Sequence, residues 1–256
     1  MNPVETWHAE ALGAQAVKAL KKTGFDAVYA ATAAEAADKV LSYIKPGASV
    51  GFGGSMTVKA LGIQEKAAAK GAVLLDHNVP GLAPEKKLEV LRRQLTCDVF
   101  VSGSNAVTLE GDIVNVDGNG NRVAALTFGP SKTVVVVGAN KIVRDIDEAF
   151  ARVETYASPM NNKRLDKPNP CVKSGTCEDC AGRDPHLPGL PDPSPQTHTF
   201  GLHRRDRRGE PGVLGPIRIC KTGSPRGPRL FVYIDEARRG FVAARLTRVS
   251  LARICG

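Results

Sequence analysis

Residues 49–57 read S-V-G-F-G-G-S-M-T. An apolar run from Ser49 to Phe52 passes through Gly53 and Gly54 into Ser55, a good helix N-cap, and a helical pattern follows from Ser55 to Lys70. A strand that leaves through glycines straight into a helix is the start of a β-α unit. Upstream, Thr32-Ala-Ala-Glu35 has capping-box spacing and opens a helix to about Ile44, which Pro46-Gly47 ends. Ala27 to Ala30 reads as a short strand before it. Asn2 to Thr23 reads as a helix with Leu12, Ala16, Val17 and Leu20 on one face.

Downstream the alternation continues. Ala72 to Leu75 reads as a strand, Pro84 to Leu95 as a helix with Leu88, Leu91 and Leu95 inward, and Asp98 to Ser102 as a buried strand. Thr133 to Gly138 carries four successive valines, as a central strand does, and Asp145-Ile-Asp-Glu148 caps a helix that buries Ile146, Ala149, Phe150, Val153 and Tyr156. Between them, Val107 to Val123 reads as a hairpin-like insertion of two extended pieces around a Glu110-Gly111 turn. This order predicts an α/β fold: a mostly parallel sheet with helices on both faces.

The 256 residues suit one such domain with an appendage. We read 1–156 as the α/β domain, 157–182 as a cysteine-containing extension, and 183–256 as an irregular, largely disordered tail. The N-terminus lacks a basic region followed by an apolar run, and no stretch approaches the ~20 apolar residues of a membrane span. The expectation is a cytoplasmic protein with no membrane partner. The net charge of +9 is unevenly placed: residues 1–182 hold 21 Lys and Arg against 20 Asp and Glu, and residues 183–256 hold 14 against 6. Thirteen of those fourteen are Arg, and Arg, Pro and Gly make up 31 of the 74 tail residues. A nucleic-acid-binding face on the folded part is therefore not expected. Within the tail, L-F-V-Y-I at 230–234 reads as one isolated strand.

Several polar groups fall where open α/β sheets bind ligands, at the carboxyl ends of strands. Gly53 and Gly54 clear the mouth of their turn. The N–H groups of Ser55 to Thr57 and the positive helix end can then hold a phosphate or carboxylate, although a plain tight turn capped by Ser55 uses the same residues. The loop lacks G-x-G-x-x-G, and no acidic residue stands usefully about 20 residues on, so neither a nicotinamide nor a flavin motif is present. Asn105, in S-G-S-N-A-V-T at 102–108, can hydrogen-bond a ligand or cap a turn. Asp117-Gly-Asn-Gly-Asn-Arg122 offers Arg122 as a bidentate clamp for an anion, Asp117 to orient a substrate or act as a base, and Asn121 as a further donor. Lys141, in G-A-N-K after the valine strand, is another cation at a strand end.

Cys171-x5-Cys177-x2-Cys180 has spacing that suits thiolate ligation of an iron-sulfur cluster or zinc. Cys97, beside a buried strand, reads as a core residue.

Four stretches, N-P-V-E-T-W-H-A-E-A-L-G, G-F-G-G-S-M-T, G-S-N-A-V-T-L-E-G-D-I-V-N-V-D-G-N-G-N-R-V-A and V-V-V-V-G-A-N-K-I-V, resemble the lactate-utilisation (LUD) domain family across roughly residues 1–182. The resemblance implies a fold similar to ribose-5-phosphate isomerase, glucosamine-6-phosphate deaminase and CoA transferases. It also implies a part in oxidising L-lactate to pyruvate, alongside partner subunits that carry iron-sulfur clusters. Stand-alone relatives continue the cysteine pattern with a cysteine inside Arg-Ile-Cys at the position where Leu187 stands here. Asp184 to Pro188 can be encoded GAC CCG CAT CTG CCG, and one nucleotide later the same bases read Thr-Arg-Ile-Cys. This predicts a shift of reading frame near residues 181–184, with the Arg-, Pro- and Gly-rich tail read out of frame.

The expected function is binding of a small carboxylate or phosphate in lactate or related 2-hydroxy-acid oxidation, as one subunit of a larger system. The alternatives are a non-catalytic ligand sensor or assembly factor, and an isomerase or CoA-transferase-like enzyme acting on a phosphorylated or thioester substrate.

Overall fold

The four valines of Val134–Val137 alternate between two hydrophobic layers, which sets the architecture. Val134 and Val136 join one core with Val50, Phe52, Val99 and Val101, and Val135 and Val137 join the other with Phe100, Leu20 and Leu126. A strand buried on both faces belongs to the middle of a helix-covered parallel sheet. The computed structural model describes residues 2–178, 229–233 and 241–244.

Helix α1 (Pro3–Lys22) leads into β1 (Asp26–Ala30), α2 (Ala33–Leu41) and β2 (Ser49–Phe52). Two short helices, α3 (Met56–Ala60) and α4 (Ile63–Ala69), precede β3 (Val73–Leu75), and α5 (Pro84–Gln94) precedes β4 (Val99–Ser102). The expected α1 gains a capping box, Asn2 with Glu5. At α2, Thr32 Oγ1 accepts from Glu35 N–H, but the Glu35 carboxylate reaches one residue further back, to Ala31 N–H. The single helix expected over 55–70 is broken because Gly62 takes a left-handed φ of 63°.

Strands β5 (Ala106–Thr108) and β6 (Ile113–Val114) form the expected hairpin. The extended piece expected to run on to Val123 instead ends early, and α6 (Asn121–Thr127) begins in its place. Helix formation there follows from Asp117, whose Oδ2 accepts from Val123 N–H in the first turn. Next come β7 (Lys132–Gly138), a 3₁₀ turn at Ala139–Lys141, β8 (Ile142–Val143) and α7 (Ile146–Arg152). Asp145 caps α7 as expected, its Oδ1 accepting from Glu148 N–H at 2.9 Å. The helical path continues as a π-turn at Val153–Ala157 and then α8 (Ser158–Arg164), past the expected domain edge at 156, and Tyr156 is exposed rather than buried. A short α9 (Cys171–Ser174) follows.

The main sheet has a parallel half ordered β7-β4-β2-β3. Helices α2 to α4 cover one face and α1, α5 and α6 the other. On the far side of β7 lie β9 (Arg229–Tyr233), parallel to both β7 and β1, and β10 (Phe241–Ala244), antiparallel to its neighbours. The strand expected in isolation at 230–234 is thus paired with β1 along five residues, because β1 does not pair with β7 directly. The window 181–184 and the tail apart from β9 and β10 lie outside the described residues. A second sheet, β6-β5-β8, sits over α7 and carries its own core of Ala106, Val114, Val143, Ala149 and Val153.

Candidate functional site

All four parallel strands end at the same rim, and there the sequence changes from apolar to polar. Strand β2 runs into Gly53, Gly54, Ser55 and Thr57, β3 into Asp76, His77 and Asn78, β4 into Ser102 to Asn105, and β7 into Lys141. The glycines are required by crowding. A Cβ on Gly53 would lie 2.3 Å from Ser102 Oγ and 3.2 Å from Arg122 Cδ. One on Gly103 would lie 2.5 Å from Ser55 Oγ. Gly54 adopts a φ of 67° and faces the His77 and Asn78 side chains. The β2 loop, the β4 end and the 115–122 segment therefore meet within van der Waals distance.

Arg122 sits at the centre of this meeting, with every donor engaged. Its Nε donates to Asp117 Oδ1 (3.1 Å), Nη1 to Asn115 Oδ1 (2.6 Å) and Gly103 O (3.3 Å), and Nη2 to Asn105 Oδ1 (3.0 Å) and Val116 O (2.8 Å). Five bonds use all five N–H groups of a guanidinium. The expected substrate clamp is thus a strut that ties the β4 end to the 115–122 loop. Asp117 is committed too, with one oxygen on Arg122 and the other on Val123 N–H. Asn105 shares its Oδ1 between Val116 N–H and Arg122. Asn121 is partly buried at the start of α6. The expected helix-end attraction is also reduced, because α3 has only five residues and a macrodipole needs length.

Lys141 differs in kind. Its residue keeps some contact with solvent, yet the ammonium lies deep, where Nζ donates to Ser104 O at 3.0 Å and lies 3.5 Å from Thr57 Oγ1. Burial, with the nearby positive charges of Arg152 and Arg122 adding to it, lowers its pKa to about 7. Among the described residues no carboxylate pairs with it. Arg152, reaching in from α7, donates to Asn105 O (2.7 Å) and Asn140 O (3.3 Å), and burial lowers its pKa as well. Arg122 pairs with Asp117, and among the described residues neither Lys141, beside Thr57, nor Arg152 has a carboxylate partner.

The opposite end of the loop carries an imidazole. Burial pushes the His77 pKa down, against the opposing pull of Asp76. His77 Nδ1 stands 3.1 Å from Nε2 of Gln94, a fully buried α5 side chain that also reaches Phe52 O and Leu75 O. The helix face expected inward on α5 was Leu88, Leu91 and Leu95, but Leu88 is exposed and Gln94 takes the buried position.

The cysteines stand on α9 and the segment that follows it. Cys171 is buried in α9, and Cys177 is partly buried, with its N–H donating to Glu154 O. Cys180 lies outside the described residues, and among the described residues no three His, Cys, Asp or Glu side chains group to hold a metal. The thiols suit iron-sulfur or zinc in chemistry, but two of them do not complete a site. Cys97 is a core residue whose thiol pKa burial pushes up to about 11. No helix among the described residues is long and apolar enough to cross a membrane.

The sequence model of the LUD domain matches residues 13–184, two thirds of the chain. The chain belongs to the LUD domain family. No curated protein and no solved structure matches it. The LUD match covers every rim residue described above and all three clustered cysteines. It stops at 184, inside the window where the sequence predicts a shift of frame. Of the expected ligand residues in this LUD domain, Gly53, Gly54, Ser55, Thr57, Asn105, Asp117, Arg122 and Lys141 come together. Sequence reading missed His77, Gln94, Asn115 and Arg152.

Proposed function

We propose that this LUD protein takes part in oxidation of L-lactate, or a related 2-hydroxy acid, to pyruvate, and that the substrate carboxylate binds at Lys141. The observation that carries the reading is the Lys141 ammonium, held deep among positive charges with no carboxylate beside it among the described residues. A buried cation without a counter-charge is costly, and a ligand carboxylate supplies the missing charge. Thr57 Oγ1, within reach of the same ammonium, can donate to that carboxylate. Arg122 and Asp117 act by holding the walls of the cleft, through the bonds that lock the β4 end to the 115–122 loop.

At neutral pH Lys141 is shared between its two protonation states, and an arriving carboxylate draws it to the ammonium form. Binding above pH 7 therefore takes up a proton. Oxidation of a 2-hydroxy acid to a 2-oxo acid releases two electrons and two protons, the electrons passing to a partner subunit that carries an iron-sulfur cluster and the protons to solvent. Cys171, Cys177 and Cys180 are proposed separately as thiolates for iron-sulfur or zinc.

The test is lactate-dependent dye reduction by protein from a verified reading frame, purified without oxygen and assayed with and without its neighbouring-gene partners. Turnover that Lys141→Met abolishes supports the reading. Lactate binding without turnover under all conditions supports a ligand sensor instead, and no binding refutes both. Metal analysis of the same preparation decides between iron and zinc.

A further inference from the structure

We propose that His77 presents a fixed Nε2–H to the glycine loop and reads a second oxygen on the bound anion, so that the cleft prefers a 2-oxo or 2-hydroxy acid to a simple carboxylate. The proposal rests on the reading of the rim as a small-carboxylate site.

The tautomer follows from Gln94. Its amide nitrogen lies 2.7 Å from Leu75 O and 3.1 Å from Phe52 O, the carbonyls that close β3 and β2. Turning the amide over would set its oxygen against both carbonyls, so the nitrogen is fixed in place by the backbone. That same nitrogen faces His77 Nδ1 at 3.1 Å. An amide nitrogen does not accept hydrogen bonds, so Nδ1 carries no proton and accepts from Gln94, sharing its two hydrogens with the carbonyls. The imidazole proton then sits on Nε2. Protonating Nδ1 would set two donors against each other, which agrees in direction with the depression caused by burial. The charges that reach the ring are Asp76, Asp117 and Lys87.

Nε2 is aimed at the ligand loop. It lies 3.8 Å from the position that a Cβ on Gly54 would take, and the absence of that Cβ leaves the approach open. One residue back, Gly53 abuts Arg122, and three residues on, Thr57 abuts Lys141. The loop thus runs from an imidazole donor at one end to a cation at the other. In the binding mode we propose, a ligand with its carboxylate at Lys141 turns the atom next to that carboxylate toward the His77 N–H. An N–H favours a carbonyl oxygen, which only accepts, and tolerates a hydroxyl through its lone pairs. While Gln94 holds Nδ1, His77 cannot take up the hydroxyl proton. It is a donor and not the base. Gln94 is a positioning residue, acting through the ring it orients.

Two measurements test this. Nitrogen-15 NMR of the imidazoles in the free protein at pH 7.5, with His77 assigned by loss of its signals in His77→Asn, should show a neutral ring protonated on Nε2. In Gln94→Leu the signal should move toward a mixture of tautomers. A ring protonated on Nδ1, or an imidazolium, overturns the proposal. In the second, pyruvate and acetate are titrated into each variant. His77→Phe should cut the preference for pyruvate by roughly three- to tenfold and leave acetate unchanged, as expected for one hydrogen bond. His77→Gln, which keeps an N–H near Nε2, should restore most of the preference. Lys141→Met should weaken both ligands. Equal affinity of pyruvate and acetate for the wild type overturns the role of His77 while the carboxylate site stands, and binding of neither overturns the carboxylate reading itself.

Discussion

Lys141→Met removes an ammonium and keeps a stem of similar length, so it isolates the charge. A lysine held at about 7 in the folded protein, against 10.5 ordinarily, costs the fold on the order of 5 kcal/mol while it is charged. Methionine avoids that cost but leaves Ser104 O without its donor, a loss of about 2 kcal/mol. The net expectation is a variant about 3 kcal/mol more stable than wild type at pH 6. For a domain of this size that is roughly 6–12 °C in Tm. The sign with pH follows from proton binding. Between pH 7 and 10.5 the unfolded chain holds the Lys141 proton more tightly than the folded one, so wild-type stability from this group rises across that window. The penalty is complete below pH 7 and gone near 10.5, and the gap between variant and wild type should close accordingly. Thermal melts at pH 6, 8 and 10 in a buffer free of multivalent anions measure it. A variant that melts below wild type at pH 6, or a gap that ignores pH, would refute the claim that Lys141 is a buried, uncompensated cation.

Further expectations separate struts from ligands. Arg122→Lys, which cannot reproduce five donors from one plane, should lose about 2–4 kcal/mol in urea denaturation, the opposite sign to Lys141→Met. Gly53→Ala should cost about 1–3 kcal/mol because its Cβ meets Ser102, whereas Gly118→Ala, with nothing within 4 Å, should be close to neutral. Iodoacetamide at pH 8, followed by peptide mapping, should label Cys177 well before Cys97, whose thiol is ionised to only about one part in a thousand.

The central strands were legible because their signal is local. An unbroken apolar run such as Val134–Val137 has one home, between two helical layers. Helix 55–70 is two helices because Gly62 takes a left-handed backbone, a break that the apolar periodicity running through it conceals. Residues 117–122 look like a turn in composition, and the helix at Asn121 depends on Asp117 reaching Val123. In the site, Lys141 and the glycine loop could be found because strand ends are predictable places. Arg152 could not, since on α7 it reads as one more solvated charge. Gln94 was hidden for the same reason: a polar residue in an amphipathic helix is assigned outward, and only the two carbonyls at the ends of β2 and β3 explain its burial. The role of Arg122 was misjudged because sequence lists its donors and not their partners.

The most direct test of the account is a calorimetric titration of L-lactate into wild type and Lys141→Met at pH 8, repeated in two buffers of different ionisation enthalpy. The account predicts that wild type takes up close to one proton per lactate bound and that the variant neither takes up a proton nor binds with comparable affinity. Equal binding by both proteins, or binding by wild type with no proton uptake, would contradict it.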